Sequence, residues 1–399
     1  MFFSRLALSL SPKLLQIELI MDRILFCLVG VLLFLPTSCT QESIGREMYL
    51  FVGTYAKSSD PGIHLYRFDT NDGTAKFVRS VSDIVNPSYL ALSKDESYLY
   101  AVSETTKPEA SVYVYSFKKQ FGDINLVDKK AIEAASPCYI WVDSKRTIAV
   151  TANYMGGNMC AIPISPTGEL GDVLTSDYKG GTPGSARQEA SHPHCVFSSP
   201  DEQHLYVNDL GTDRIYKYTF LAEDNEIGLD VPFIIGMPTH YSLPKGEGPR
   251  HSTFHPNGKF MYLISELSGR VAAFKYNDGD FELIQFIEAD EEHASGSADI
   301  HVSPDGRFLY ASNRLKNDGI AIFSINQETG ELKKVGYQPT EPHPRNFIIT
   351  PDGTHLLCAC RDGNIIQVFE INKKNGKLKN TKKDITVNQP VCLKFAEMI

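Results

Sequence analysis

Ala298-Asp299-Ile300-His301-Val302-Ser303-Pro304-Asp305-Gly306-Arg307-Phe308-Leu309-Tyr310-Ala311-Ser312-Asn313-Arg314 is the stretch that decides how the chain folds. A short apolar run closes on Ser-Pro-Asp-Gly, a turn signal. A second run, Phe308 to Ser312, ends on polar residues, and a third, Ile320 to Ile325, follows Gly319. Short apolar runs punctuated by Pro, Asp and Gly read as antiparallel strands joined by tight turns.

The unit recurs. Turn signals equivalent to Asp305-Gly306 stand at Asp95, Ser144, Asp201, Asn257 and Asp352, with successive intervals of 49, 57, 56, 48 and 47 residues. A period near fifty with four short strands in each copy is the sequence pattern of a β-propeller. In the copy quoted, strand a is Asp299 to Ser303, b is Phe308 to Ser312, c is Ile320 to Ile325, and d begins near Leu332. Six a strands begin near Pro87, Pro137, Pro193, Pro249, Ala298 and Pro344.

The termini complete the count. Tyr49 to Thr54 reads as a b strand with no a strand before it, and Pro390 to Phe395 as an a strand with nothing after it. Joined, they make a seventh blade closed by both ends of the chain, which leaves no inner edge unpaired. The expectation is an all-β, seven-bladed propeller over 48–399; two stacked sandwiches would not explain the split blade.

Residues 1–39 read as a leader and 40–47 as a linker. Met21-Asp22-Arg23 precedes an almost wholly apolar run, Ile24 to Leu35, followed by Pro36-Thr37-Ser38-Cys39. That is the layout of a secretory signal, with an apolar core too short for an ordinary membrane-spanning helix. Small residues before Cys39 suggest lipoprotein-type processing, so the expectation is an exported, envelope-held protein touching the membrane only through a lipid anchor. The alternative, if the leader is misread, is the cytoplasm, and the start at Met1 or Met21 stays open. Of the eight cysteines, none forms C-x-x-C or a zinc-ligand spacing. A formal net charge of -9 argues against a nucleic-acid partner. The oligomeric state is not legible.

In an antiparallel blade whose a strand runs along the axis, every a-strand start and b-strand end lies on one face, the mouth. The long connections fall there too: Asp177 to Ser191, Ile234 to Gly248 and Glu288 to Ser297. Such loops on a rigid scaffold usually bind or catalyse. The a-strand starts bring His192, His194, Arg250, His251, Asp299, His301, His343 and Arg345, and the b-strand ends bring Glu266 and Arg314. A lone His at a strand end is ordinarily a structural hydrogen-bonding group; convergence from neighbouring blades is what points to a site. No G-x-S-x-G elbow is present. A metal site built on Glu266, Asp299 and His301 is a rival reading, opposed by the nearby arginines.

The quoted stretch, with Arg187-Gln188-Glu189, His192-Pro193-His194, Gly248-Pro249-Arg250-His251, Glu266 and Pro344-Arg345-Asn346-Phe347 in the same order, resembles the seven-bladed propeller lactonase family. That family includes bacterial 6-phosphogluconolactonases and fungal carboxy-cis,cis-muconate cyclases. The resemblance implies hydrolysis of a small sugar or sugar-acid lactone at the mouth, with no cofactor and no metal. It assigns catalytic roles to His194, Arg250, Glu266 and Arg314. Glu266 or His194 would be the acid or base, and the two arginines would stabilise an oxyanion or hold an anionic substrate group. His192, His251, Asp299, His301, His343, Arg345 and Arg187 would bind substrate, with Arg345 and Lys179 weaker candidates for a distal anionic group. A non-catalytic binding platform and a muconate-type lactonizing enzyme are the alternatives.

Overall fold

One turn, repeated, builds the ring. At the end of strand a, the Ser303 hydroxyl donates to Asp305 Oδ1 (2.6 Å) and accepts from the Phe308 amide (3.0 Å), so the first residue of strand b is tied back before the sheet begins. Ser93 with Asp95, Ser199 with Asp201 and Thr350 with Asp352 do the same for Tyr98, His204 and His355. Such side chain-to-backbone closure is why Ser, Thr and Asp dominate tight turns. Where blade three has Asp143 instead of Ser, its carboxylate accepts directly from the Thr147 and Ile148 amides.

The computed structural model describes residues 47–55, 59–182, 184–221 and 238–398. The leader, Cys39 and the linker up to residue 46 lie outside the described residues. Seven antiparallel sheets follow one another, each with strands in the order a-b-c-d. The quoted copy holds strands Ile300–Val302, Phe308–Asn313, Gly319–Ile325 and Leu332–Pro339. The termini close the ring as the sequence pattern requires: Pro390–Glu397 pairs antiparallel with Glu47–Thr54, Leu50 opposite Phe395 and Val52 opposite Leu393.

Neighbouring blades are stitched by a recurrent aromatic. The hydroxyls of Tyr206, Tyr262 and Tyr310, on three successive b strands, donate to the carbonyls of Gly279, Gly330 and Gly376 in the c–d turn of the next blade (2.8, 3.0 and 2.9 Å). These rings are fully buried, each removing an aromatic payload from water while its polar tip stays satisfied. The close approach explains the turn glycines: a Cβ on Gly330 would lie 2.4 Å from Phe260, and one on Gly376 2.5 Å from Phe308. The six described cysteines, Cys138, Cys160, Cys195, Cys358, Cys360 and Cys392, are buried free thiols.

Candidate active site

Five inner strands start on proline and then skip a residue in register; in the closing blade, where Pro390 faces Thr54 and Cys392 faces Gly53, the skipped residue is the apolar Val391, and the other four bring the chemistry. Pro193 faces Asp209, yet Cys195 faces Asn208; the same slip follows Pro137, Pro249 and Pro344. The extra residue, Cys138, His194, Arg250 or Arg345, is a β-bulge. A bulge bends its strand and re-aims the unpaired side chain, and proline tolerates the first position of a strand because it has no amide hydrogen to lose. The slip therefore puts four chemically distinct side chains at one level of the axis. The following residues form a lower layer, and the residues just after each b strand (Tyr55, Glu104, Tyr154, Glu266, Arg314 and Arg361 among them) form a rim above.

The lower layer is a floor. Tyr89 and Tyr139 stack with centroids 3.8 Å apart, and His251 meets Tyr139 edge-on at 5.3 Å. His251 Nδ1 lies 2.8 Å from Asp299 Oδ1, while its Nε2 accepts from Arg250 Nη1 at 3.2 Å. Burial, then the Arg250 charge, pulls His251 down to about 4 against the opposing pull of Asp299. It is thus neutral, its proton on Nδ1. Asp299 also faces His301 Nε2 (3.1 Å) and accepts from Asn346 and the amides of Ile300 and Phe347 (3.0 and 3.2 Å). Burial alone would raise the Asp299 pKa, but His301 and His251 hold it well below the carboxylate range. Its oxygens are fully engaged by protein, so Asp299, His251 and His301 orient Arg250 from below. Beneath the Tyr pair a separate cavity of about 430 Å³, lined by Trp141, Ile348 and Lys394, opens on the far side of the floor.

Above the floor sits Glu266, gripped by three guanidinium groups. Arg314 Nη2 donates to Oε1 at 2.9 Å, Arg187 Nη2 donates to the same oxygen, and Arg250 Nε lies 2.8 Å from Oε2. The Arg250 contact is off the hydrogen-bond angle, an ion pair by proximity only. Burial would push Glu266 up; Arg314, Arg250 and Arg187 outweigh it and hold the carboxyl at about 2. Burial also pulls Arg314 down to about 9, opposed by Glu266, so it stays cationic at neutral pH. Three cations to one carboxylate leave a positive excess around a buried carboxylate, with Arg187 reaching it from the exposed mouth loop. Glu266 is 5% exposed and Arg250 1%.

His194 completes the group, its Nε2 4.0 Å from Glu266 Oε2. Burial first, then Arg250 and His251, hold the imidazole well below its usual range, so it is neutral. On its other side Nδ1 lies 3.8 Å from Cys138 Sγ, which is itself within 3.7–3.8 Å of the Ala152, Pro193 and His194 carbonyls. A thiol hydrogen directed at one of those carbonyls leaves sulfur to accept Nδ1–H, and the Nε2 lone pair then faces the channel.

Of the residues singled out from sequence, His194, Arg250, Glu266, Arg314 and Arg187 meet around one carboxylate. Arg187 arrives from the long mouth loop and also donates to the Ser295 carbonyl (2.9 Å), joining two loops across the site. His343 stands behind Arg314, its Nε2 3.3 Å from Arg314 Nη1 and its Nδ1 3.3 Å from Arg361 Nη2. His192 is stacked under Tyr154 (4.5 Å) with Nδ1 2.9 Å from the Tyr154 carbonyl, which places it as support. Arg345 lies apart, over the ring of Tyr55 at 5.2 Å, and Lys179 is exposed on the mouth loop. Tyr154 and Tyr55 were not anticipated. Their position, the residue directly after a b strand, is the one Glu266 and Arg314 occupy, and that register was the available signal.

Residues 49–395 match the family described as lactonase, 7-bladed beta-propeller. The chain belongs to that family. Among this lactonase-family chain's relatives, the 6-phosphogluconolactonase of Formosa agariphila is 34% identical over 348 residues, 85% of this chain and 97% of the relative. That of Bacillus subtilis is 32% identical over 356 residues, 88% and 98% of the two chains. In three dimensions it resembles a candidate 6-phosphogluconolactonase of Bacteroides fragilis (42% identity, TM-score 0.82, covering 90% and 99%). It also resembles the periplasmic gluconolactonase of Pseudomonas aeruginosa (29% identity, TM-score 0.78, covering 88% and 100%).

Proposed function

We propose that this chain hydrolyses a sugar or sugar-acid lactone at the axial mouth, with His194 as proton carrier and the Glu266 cluster as its electrostatic frame. One observation carries the reading: a neutral imidazole, 4.0 Å from a carboxylate that three arginines keep ionised, at the closed floor of a channel. The lactonase relatives support the reaction class.

In this scheme water lies between His194 Nε2 and the lactone carbonyl. Its oxygen adds to the carbonyl carbon while its proton passes to Nε2. Arg250, whose Nη1 is held by His251 and the Ala298 carbonyl, donates from its other side to the oxyanion that forms, while Arg314, held by Gly296, His343 and Glu266, adds its fixed charge. Collapse breaks the bond to the ring oxygen, and the imidazolium returns its proton to that alkoxide. Glu266, engaged by three guanidinium groups that hold it at about 2, is a fixed anion in this scheme rather than the proton carrier. Its part is to stabilise the transient imidazolium and space the guanidiniums. We further propose an extracytoplasmic setting, from the leader ending at Cys39, where a lactone other than a cytoplasmic sugar phosphate is met.

The test is proton release from gluconolactone, its 6-phosphate and muconolactone, followed at constant pH. Ring opening that is lost in His194→Asn supports the assignment. Folded wild-type protein that leaves every lactone at its background rate favours a binding platform instead.

A further inference from the structure

The axial arginines divide into two groups. Arg187, Arg250 and Arg314 share Glu266. Arg345 occupies the bulge equivalent to those of His194 and Arg250, three blades round the ring from His194, and so points at the same channel from its other side. Among the described residues, its side-chain partner is the face of Tyr55, whose centroid lies 5.2 Å from the guanidinium carbon. That ring is fixed from its far end, because the Tyr55 hydroxyl donates to Glu104 Oε2 at 2.8 Å.

Glu104 lends field to this corner but makes no ion pair with Arg345. Arg361, the other cation nearby, is occupied by Asp362 (2.6 Å) and His343. Arg345 is therefore a half-buried guanidinium with five donors and no acceptor among the described residues. Desolvating a charge without a partner is costly, and a stacked guanidinium is the group best shaped to grip a planar or tetrahedral oxyanion with two parallel hydrogen bonds. The ring that carries Arg345 also lines a cavity of about 320 Å³, together with Asn86, Arg361, Asp362 and Gln389.

We infer that Arg345, seated on Tyr55, receives an ionised tail of the substrate, carboxylate or phosphate, across the channel from the ring-opening cluster. The inference rests on the lactone reading for what is bound, but the anion subsite can be read out without turnover. The site thus selects lactones whose charged group lies at the end remote from the scissile ester.

Arg345→Gln and Arg345→Lys in the full chain test it on three lactones: gluconolactone, its 6-phosphate and glucarolactone. Losing a paired charge-assisted contact should lower the charged-to-neutral ratio of kcat/KM by about 30-fold in the Gln variant, through KM, with partial recovery in the Lys variant. The larger drop, on phosphate or on carboxylate, identifies the natural tail. An equal loss on all three lactones, or no loss on any, overturns the assignment. Should wild type open none of them, calorimetric titration with inorganic phosphate decides separately. Binding weakened about tenfold or more by Arg345→Gln supports the subsite; equal affinity, or none in wild type, overturns it.

Discussion

Replacing Glu266 by Gln is the most demanding perturbation, because it changes one charge and almost no volume. In wild type the carboxylate stands 4.0 Å from His194 Nε2, the atom that becomes cationic as water attacks. At that separation and an effective dielectric near 20, the attraction is worth roughly 4 kcal/mol. Removing it should lower kcat about a thousandfold. The same change leaves Arg250 and Arg314, both buried, facing an uncharged amide. Breaking a buried ion pair from one side costs about 3–5 kcal/mol. The low end is expected here, because Gln keeps an acceptor for Arg314 and Arg187. The assay is proton release at constant pH, with circular dichroism and a thermal melt on the same sample to show that the fold persists. A Glu266→Gln protein that is folded and within tenfold of wild-type kcat would refute the electrostatic role.

Three other outcomes follow from the same geometry. Because His194 is held well below its ordinary value, kcat/KM should show no acid limb at the ordinary imidazole value, the base remaining neutral there; an acid limb centred near 6.5 in the pH–rate profile would contradict this. Stability should fall in acid in two stages. The unfolded chain protonates His251 below pH 6.5 while the folded one resists until about 4, and Glu266, ordinarily near 4.5, resists until about 2. Each gap is worth roughly 3 kcal/mol, fully present above its unfolded value and lost as pH falls through the window to its folded value. Thermal melts at pH 7, 5.5, 4 and 3 would show it, and a melting temperature unchanged from pH 7 to 4 would rule it out. Finally, Gly211→Ala would set a Cβ 1.7 Å from the Ala190 carbonyl oxygen, so the mouth loop carrying Arg187 must shift. Lower thermal stability together with a several-fold drop in kcat is expected, checked by melts and initial rates.

The fold was legible because its determinants are local. Ser303 and Asp305 make their turn with atoms five residues apart or fewer, and the pattern repeats often enough to reveal the split blade at Tyr49 and Pro390. That His194, Arg250, Glu266 and Arg314 come together was legible too, since strand ends are countable. What could not be read was which atoms face which. The register slip after Pro193, Pro249 and Pro344 is a property of the paired strands, and it determines that His194, Arg250 and Arg345 turn inward. Glu266 read as acid or base until its neighbours were known; three arginines from two blades and a loop make it a fixed anion. Asp299 read as a substrate ligand, yet its oxygens are filled by His251, His301, Asn346 and two amides. Tyr55 and Tyr154 were overlooked because tyrosine at a strand end looks like packing.

The central claim is that bulged inner strands assemble a neutral imidazole and a positive oxyanion site fit to open a lactone. Initial rates of gluconolactone and 6-phosphogluconolactone hydrolysis by wild type and His194→Asn, side by side at pH 7, test it most directly. The account predicts turnover above background in wild type, reduced at least about a hundredfold in a variant that still melts cooperatively. Equal rates from the two folded proteins would contradict it.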